Sequence, residues 1–302
     1  MRPLVVTTCS AKKRAAPVLS ANQLAQGRQC DVERAWLQRL QASAPVMRAD
    51  RLYAGRGFGM AAQAAAALGA DLAVISAGLG YVAGAKEVPS YDLTVSGRHA
   101  NALRDRVTER FDPVHWWRSV SASPYSTSLC DDLAGRPLVV ICLSAEYARL
   151  VAADLTALAK DETVRANTRI FGLSIAKHLP KEWDGSVMSY DERFNSLGVT
   201  GTRVDFAQRA ALDFITHFDA KALTVSDARD FVVARMQGGR RAGEVQRKRL
   251  TDEEVLEAIA DAAPEIGTKA SPLLRHLRHT SGLACEQARF RRLLDRFLRV
   301  GQ

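Results

Sequence analysis

The segment EVPSYDLTVS, residues 87–96, places Glu87, Tyr91 and Asp92 directly after the apolar run DLAVISAGLGYV. A carboxylate in a loop leaving a buried strand can orient and deprotonate a water, or stabilise a developing positive charge. Pro89 stands two residues before Tyr91 and restricts the backbone that carries Asp92. Asp92 is therefore the first candidate for a catalytic role, and Glu87 the second. A cap for LTVSGRHANAL and a solvated loop acid are the plain alternatives.

Two further strand exits carry polar residues. In TTCSAKKR, Cys9 and Ser10 end an apolar run, and Lys12, Lys13 and Arg14 follow. Backbone N–H groups beside a cationic cluster suit a phosphate, although the G-x-x-x-x-G-K frame of a Walker loop is missing. In CLSAEYARL, Ser144 and Tyr147 reach the same edge. Cys9, Ser10 and Ser144 could contact the edge of a bound base. Each has a plainer use: Cys9 and Cys142 end apolar strands and suit packing, and Ser144 suits a helix N-cap. Tyr53 and Phe58 flank Gly55, Arg56 and Gly57 just before an alanine-rich helix. With Tyr91 they would give a nucleobase flat surfaces to stack on, and Arg56 a phosphate contact. Core aromatics and a surface arginine are the commoner fate of such residues. The six histidines show no H-E-x-x-H or comparable spacing, so a catalytic metal is not expected, and carboxylate-assisted attack of water needs no organic cofactor.

The elements that must position these residues are short β-rich runs at 3–9, 71–78, 137–144 and 168–174, bounded by turn residues. Such runs suit buried strands of a parallel sheet. Helix-period segments at 30–42, 58–70, 145–161 and 207–218 alternate with them. The pattern predicts an α/β domain over 1–220, a three-layer, mostly parallel sheet flanked by helices. Ligands of open α/β sheets bind outside the carboxyl ends of the strands, where the candidates above converge. The glycines at 78, 80 and 84 do not match the dinucleotide fingerprint and predict a wide loop instead.

Residues 221–250 predict a basic, glycine-interrupted linker, and 251–302 a small helical domain. Thr251 and Glu254 form a capping-box pattern, Ser271 reads as a second N-cap with Pro272 in the first turn, and Ser281–Gly282 as a tight turn. In the last helix Ala288, Leu294 and Leu298, flanked by Phe290, Leu293 and Phe297, predict a buried stripe. Helix, helix, glycine turn, helix is the outline of a helix-turn-helix. From Arg275 to Gln302, seven arginines face only Glu286 and Asp295. Gln287, Arg289, Arg291 and Arg292 would then meet base edges or phosphates. A helical bundle with a solvated basic face, or a dimerisation module, is the bland alternative.

The whole chain of 302 residues carries a net charge of +9, which favours a polyanionic partner, with DNA foremost. Five scattered cysteines without paired spacing read as reduced thiols. The opening PLVVTTCS lacks the core of a signal peptide, and no apolar run approaches the roughly 20 residues of a membrane span. A cytoplasmic protein with no membrane or protein partner is expected.

VVTTCSAKK (5–13), LYAGRGF (52–58), LAVISAGLGYV (72–82) and EVPSYDLTV (87–95) together resemble a bacterial domain family of unknown function. That family looks related to the uracil-DNA-glycosylase-like fold, and a similar domain accompanies archaeal tRNA deazapurine-modifying enzymes. The G-Q-D-P-Y and H-P-S-P motifs of uracil-DNA glycosylases are absent from the chain. The resemblance implies a uracil-DNA-glycosylase-like fold over 1–220 and, by analogy with phage-defence glycosylases, excision of a modified base from double-stranded DNA. Two other classes stay open: a non-catalytic DNA-binding regulator, and a nucleotide- or tRNA-base-processing enzyme.

Overall fold

The computed structural model describes residues 1–95, 101–199, 201–240, 250–280 and 282–300. The chain divides into two units, Met1–Arg240 and Arg241–Gln302. The strands of the first unit are β1 (Leu4–Thr8), β2 (Leu19–Ser20), β3 (Met47–Arg48), β4 (Asp71–Ser76), β5 (Gly80–Ala83), β6 (Glu87–Val88), β7 (Tyr91–Asp92), β8 (Val139–Cys142) and β9 (Thr168–Phe171). Its helices are α1 (Gln29–Gln41), α2 (Ala49–Leu52), α3 (Arg56–Leu68), α4 (Pro113–Ser121), α5 (Leu129–Leu133), α6 (Ala145–Leu150), α7 (Ala152–Leu158), α8 (Glu162–Asn167), α9 (Phe206–His217) and α10 (Val225–Gln237).

Five strands form one mixed sheet in the order β5-β4-β1-β8-β9. The pairs β4–β1, β1–β8 and β8–β9 are parallel, and β5 returns antiparallel to β4. The central strands are apolar on both faces because helices cover both. Successive residues of β1 enter opposite cores: Leu4 and Val6 pack on one side and Val5 on the other. The first core gathers Trp36 of α1, Trp116 of α4 and Leu150 of α6, and the second gathers α3, α9 and α10. Ala61, Ala64, Ala65 and Leu68 form the buried stripe of α3, which ends at Gly69 in the left-handed conformation with φ 60°.

Several expectations are revised. The wide loop expected after β4 turns back at Gly80 (φ 86°) as β5, and then forms two small ribbons, β3–β6 and β2–β7. The single helix expected at 145–161 breaks at Val151 into α6 and α7. Residues 221–240, expected as linker, belong to the first unit, because α10 buries Ala228, Val232 and Met236. Arg235 of α10 donates two hydrogen bonds to the buried Asp213 carboxylate, which also accepts from Tyr190. The rest of that expected linker, 241–249, lies outside the described residues.

The second unit comprises α11 (Asp252–Ile266), α12 (Ala270–Thr280) and α13 (Gln287–Val300), packed around Val255, Ile259, Leu273, Leu277 and Phe290. The capping box is present, with Thr251 and Glu254 bonding each other's backbone N–H. Helix α12 begins at Ala270, so Ser271 lies inside its first turn and is not the cap. Ser281 is outside the described residues, and Gly282 has φ 62°. The buried face of α13 is Phe290, Leu293 and Leu294 with Phe297 beside them; Ala288 and Leu298 are exposed. Among the described residues no helix is long and apolar enough to cross a membrane.

Candidate active site at the carboxyl edge of the sheet

The carboxyl ends of β1, β4 and β8 bring Cys9, Ser76 and Ser144 to one edge of the sheet. The loop after β1 is strapped to the loop between α2 and α3. Arg14 N–H donates to the Leu52 carbonyl (2.9 Å), Ala54 N–H to the Lys12 carbonyl (2.9 Å) and Gly55 N–H to Ser10 Oγ (3.1 Å). Gly55 is required there, because a Cβ would stand 2.6 Å from Ser10 Cβ.

These straps set Lys13 over two tyrosines. Its Nζ lies 4.1 Å from the Tyr91 ring centroid and 5.7 Å from that of Tyr53, and it donates to the Ser10 carbonyl at 3.3 Å. Burial lowers the Lys13 pKa, and the neighbouring Cys9 and Asp92 oppose that shift. Beneath the lysine the Tyr91 hydroxyl joins Ser76 Oγ (2.7 Å) and the Tyr53 hydroxyl (3.2 Å), and Ser76 Oγ accepts from Leu79 N–H. Cys9 Sγ meets the Tyr147 hydroxyl at 3.0 Å. Burial raises the pKa of Tyr53, Tyr91 and Tyr147, so these phenols stay protonated.

Asp92 lies half-buried in β7, opposite Ser20 of β2. The Asn101 amide donates to the Asp92 carboxylate, and Ser20 Oγ donates to Asn101 Oδ1 at 2.9 Å. This relay fixes the carboxylate's orientation at the β2–β7 ribbon.

No family model, curated protein or solved structure matches the chain.

The structure sorts the candidate residues. Cys9, Ser10, Lys13, Tyr53, Tyr91, Asp92 and Tyr147 belong to one connected neighbourhood. Tyr53, Phe58 and Tyr91 are 2%, 3% and 0% exposed, so the rings expected to stack on a base are core residues. Tyr53 packs on Phe58 with centroids 5.1 Å apart, and Tyr91 meets Trp36 edge-on. Half-buried Tyr147 is the aromatic side chain with surface to offer at this edge. Ser144 Oγ accepts from Tyr147 N–H and caps α6. Glu87 is exposed on β6, opposite Arg48 of β3. Lys12 is exposed, and Arg56 reaches the buried Asp205 carboxylate at 3.5 Å.

In the second unit Arg289 bonds the Asp252 carboxylate and the Leu250 carbonyl, and Arg278 bonds the Cys285 carbonyl. Those two arginines tie the unit's helices together, and Arg289 keeps part of its surface exposed. Gln287, Arg291 and Arg292 are exposed, as are Arg275, Arg296 and Arg299.

Sequence reasoning missed Ser76, Asn101, Ser20 and Trp36. Ser76 ends β4 in SAGLG, where a hydroxyl closing an apolar strand was a readable signal. Asn101 and Ser20 had none, because they meet Asp92 only through the ribbon. An open cleft of about 1000 Å³ lies at the opposite edge of the sheet, bounded by Leu4, Asp71 and Ala83. Six of its charged residues are paired among themselves, Arg136 with Asp71 and Asp132, Arg2 with Asp71, and Arg48 with Asp50. We therefore place the candidate chemistry at the carboxyl edge.

Proposed function

We propose that the first unit is a DNA N-glycosylase with a uracil-DNA-glycosylase-like architecture, and that the second is a helix-turn-helix-like module holding duplex DNA. The observation that carries this reading is the Asp92 carboxylate, oriented by Asn101 and Ser20 beside a lysine at the carboxyl edge of the sheet. A flipped nucleotide would enter between Cys9, Ser10 and Tyr147. Asp92 would orient a water below C1′ and take its proton as the C1′–N bond breaks and the new C1′–O bond forms. Its negative charge would also stabilise the oxocarbenium-like sugar. The base leaves with the bonding electron pair. Exposed Lys12 suits the flanking phosphate, and the net charge of +9 suits the polyanion.

The resemblance to domains found beside DNA-modification and phage-defence genes favours a modified base as substrate and antiviral defence as the setting. The test is base release, measured by mass spectrometry, from unmodified, uracil-containing, hydroxymethylated, glucosylated and deazapurine DNAs. A released base is expected from a modified DNA, falling about 10²–10⁴-fold in Asp92→Asn, the usual worth of a general base. DNA binding without release from any substrate would instead identify a regulator.

A further inference from the structure

We propose that Lys13 is a nucleophilic amine of this site, forming an imine with the C1′ aldehyde of an abasic deoxyribose, so that the protein also cuts the strand by β-elimination. This rests on the DNA N-glycosylase reading and adds a second activity to it.

A lysine that clamps phosphate normally extends its ammonium into water, as exposed Lys12 can. Lys13 instead folds back over the Tyr91 ring at 4.1 Å and bonds a neutral acceptor, the Ser10 carbonyl. The floor beneath it is the buried Tyr53, Tyr91 and Ser76 hydroxyl cluster. Aromatic faces attract an ammonium but cannot take its place in an ion pair. Loss of water around Nζ lowers its pKa and enlarges the neutral fraction that can attack a carbonyl. Asp92, the carboxylate whose charge reaches Lys13, is the base that such a reaction needs next.

The steps balance without a further reactant. The Lys13 nitrogen bonds C1′, and the carbonyl oxygen leaves as water, giving the protonated imine. The C2′ proton passes to Asp92, the C2′–C3′ double bond forms, and the 3′-phosphate departs with its bonding electrons. Water then hydrolyses the imine, which releases the unsaturated aldehyde and restores the amine.

The test uses the full chain and a duplex oligonucleotide whose abasic site has been made beforehand by a separate uracil-DNA glycosylase. Borohydride reduces any imine to a stable secondary amine, and mass spectrometry of the digested adduct locates it. The adduct is expected on Lys13, with strand ends characteristic of β-elimination. It should fall at least tenfold in Lys13→Arg, which keeps the charge but cannot form the imine, and persist in Lys177→Arg, which alters an exposed lysine in the segment after β9. Mapping on the unaltered protein keeps the test valid should Lys13→Arg fold poorly. No adduct, or adducts on other lysines only, overturns the proposal. Because the abasic site is supplied, base release without trapping would sink Lys13 alone, whereas trapping without base release from any DNA would sink only the N-glycosylase reading.

Discussion

Gly78 decides whether the platform beneath Lys13 can exist. A Cβ at this position would stand 2.6 and 2.7 Å from Cε2 and Cδ2 of Tyr91 and 3.2 Å from Cζ2 of Trp36, well inside ordinary contact at 3.4 Å. Neither ring has room to retreat: Tyr91 and Trp36 are both 0% exposed, and Trp36 Nε1 is tied to the Gly78 carbonyl at 2.8 Å. Gly78 is not among the glycines with positive φ, so the penalty of Gly78→Ala is steric and not conformational. Overpacking of this kind costs about 1–3 kcal/mol. For a unit of about this size that corresponds to roughly 2–4 °C of Tm per kcal/mol. All four tryptophans, at 36, 116, 117 and 183, belong to the first unit, so their fluorescence in urea reports that unit without interference from the second. The decisive comparison is a double-mutant cycle with Tyr91→Val, which removes the ring that the new methyl would strike. Gly78→Ala should cost much less in that background than in the native one. An equal cost in both backgrounds, or an unchanged urea midpoint in the single variant, would refute the assignment of Gly78 as the space in which Tyr91 sits.

Two further predictions follow from the electrostatics. Burial raises the pKa of Tyr53, Tyr81, Tyr91, Tyr147 and Tyr190 above the usual 10.0, so their contribution to stability is fully present below pH 10 and is lost as the unfolded chain ionises above it. Lys13 works in the opposite sense, gaining stability as pH rises between its lowered pKa and 10.5, but it is one group against these phenols and that of Tyr125. The unfolding free energy from urea titrations should therefore fall above pH 10, by about 1.4 kcal/mol per tyrosine per pH unit, and a flat profile from pH 9 to 11 would contradict the buried phenols. In the second unit, Arg291→Gln/Arg292→Gln should weaken DNA binding and reduce the slope of log K against log salt by about 1.8 if both contact phosphates. An unchanged slope in a fluorescence-anisotropy titration would remove these arginines from the interface.

The sequence made the sheet legible where strands are buried on both faces, because runs such as LVVTT and VVIC leave little alternative to a parallel interior strand. It hid β5 and the ribbons, whose strands of two to four residues are set by pairing and not by apolar pattern. Helix α10 was hidden for a different reason. Its buried face is only Ala228, Val232 and Met236, spaced by four within a polar sequence, and Arg235 anchors it to an aspartate 22 residues earlier. At the site, residue type was readable but depth was not. Tyr53, Phe58 and Tyr91 could each have faced a ligand; Tyr53 and Phe58 pack on each other, and Tyr91 is closed in by Trp36 and the missing side chain at Gly78, all tertiary facts. Arg289 likewise gives no sign in sequence of turning back onto Asp252, 37 residues away.

Lys13 is the position where folding and chemistry pull apart most clearly. The Tyr91 and Tyr53 faces and the Ser10 carbonyl would accept an uncharged side chain without desolvating an ammonium, so stability alone gives no reason for a lysine there. The attraction of the rings recovers part of the cost, yet the lowered pKa shows that the charged form remains disfavoured relative to water. A merely positive contact for DNA could be made from the surface, as by Lys12 in the next position, at no such cost. What the interior position supplies and the surface cannot is an amine whose burial favours its neutral form, within electrostatic reach of the oriented Asp92 carboxylate. Groups whose pKa burial perturbs concentrate at functional sites, and here the perturbed group, the fixed carboxylate and the strand carboxyl ends coincide.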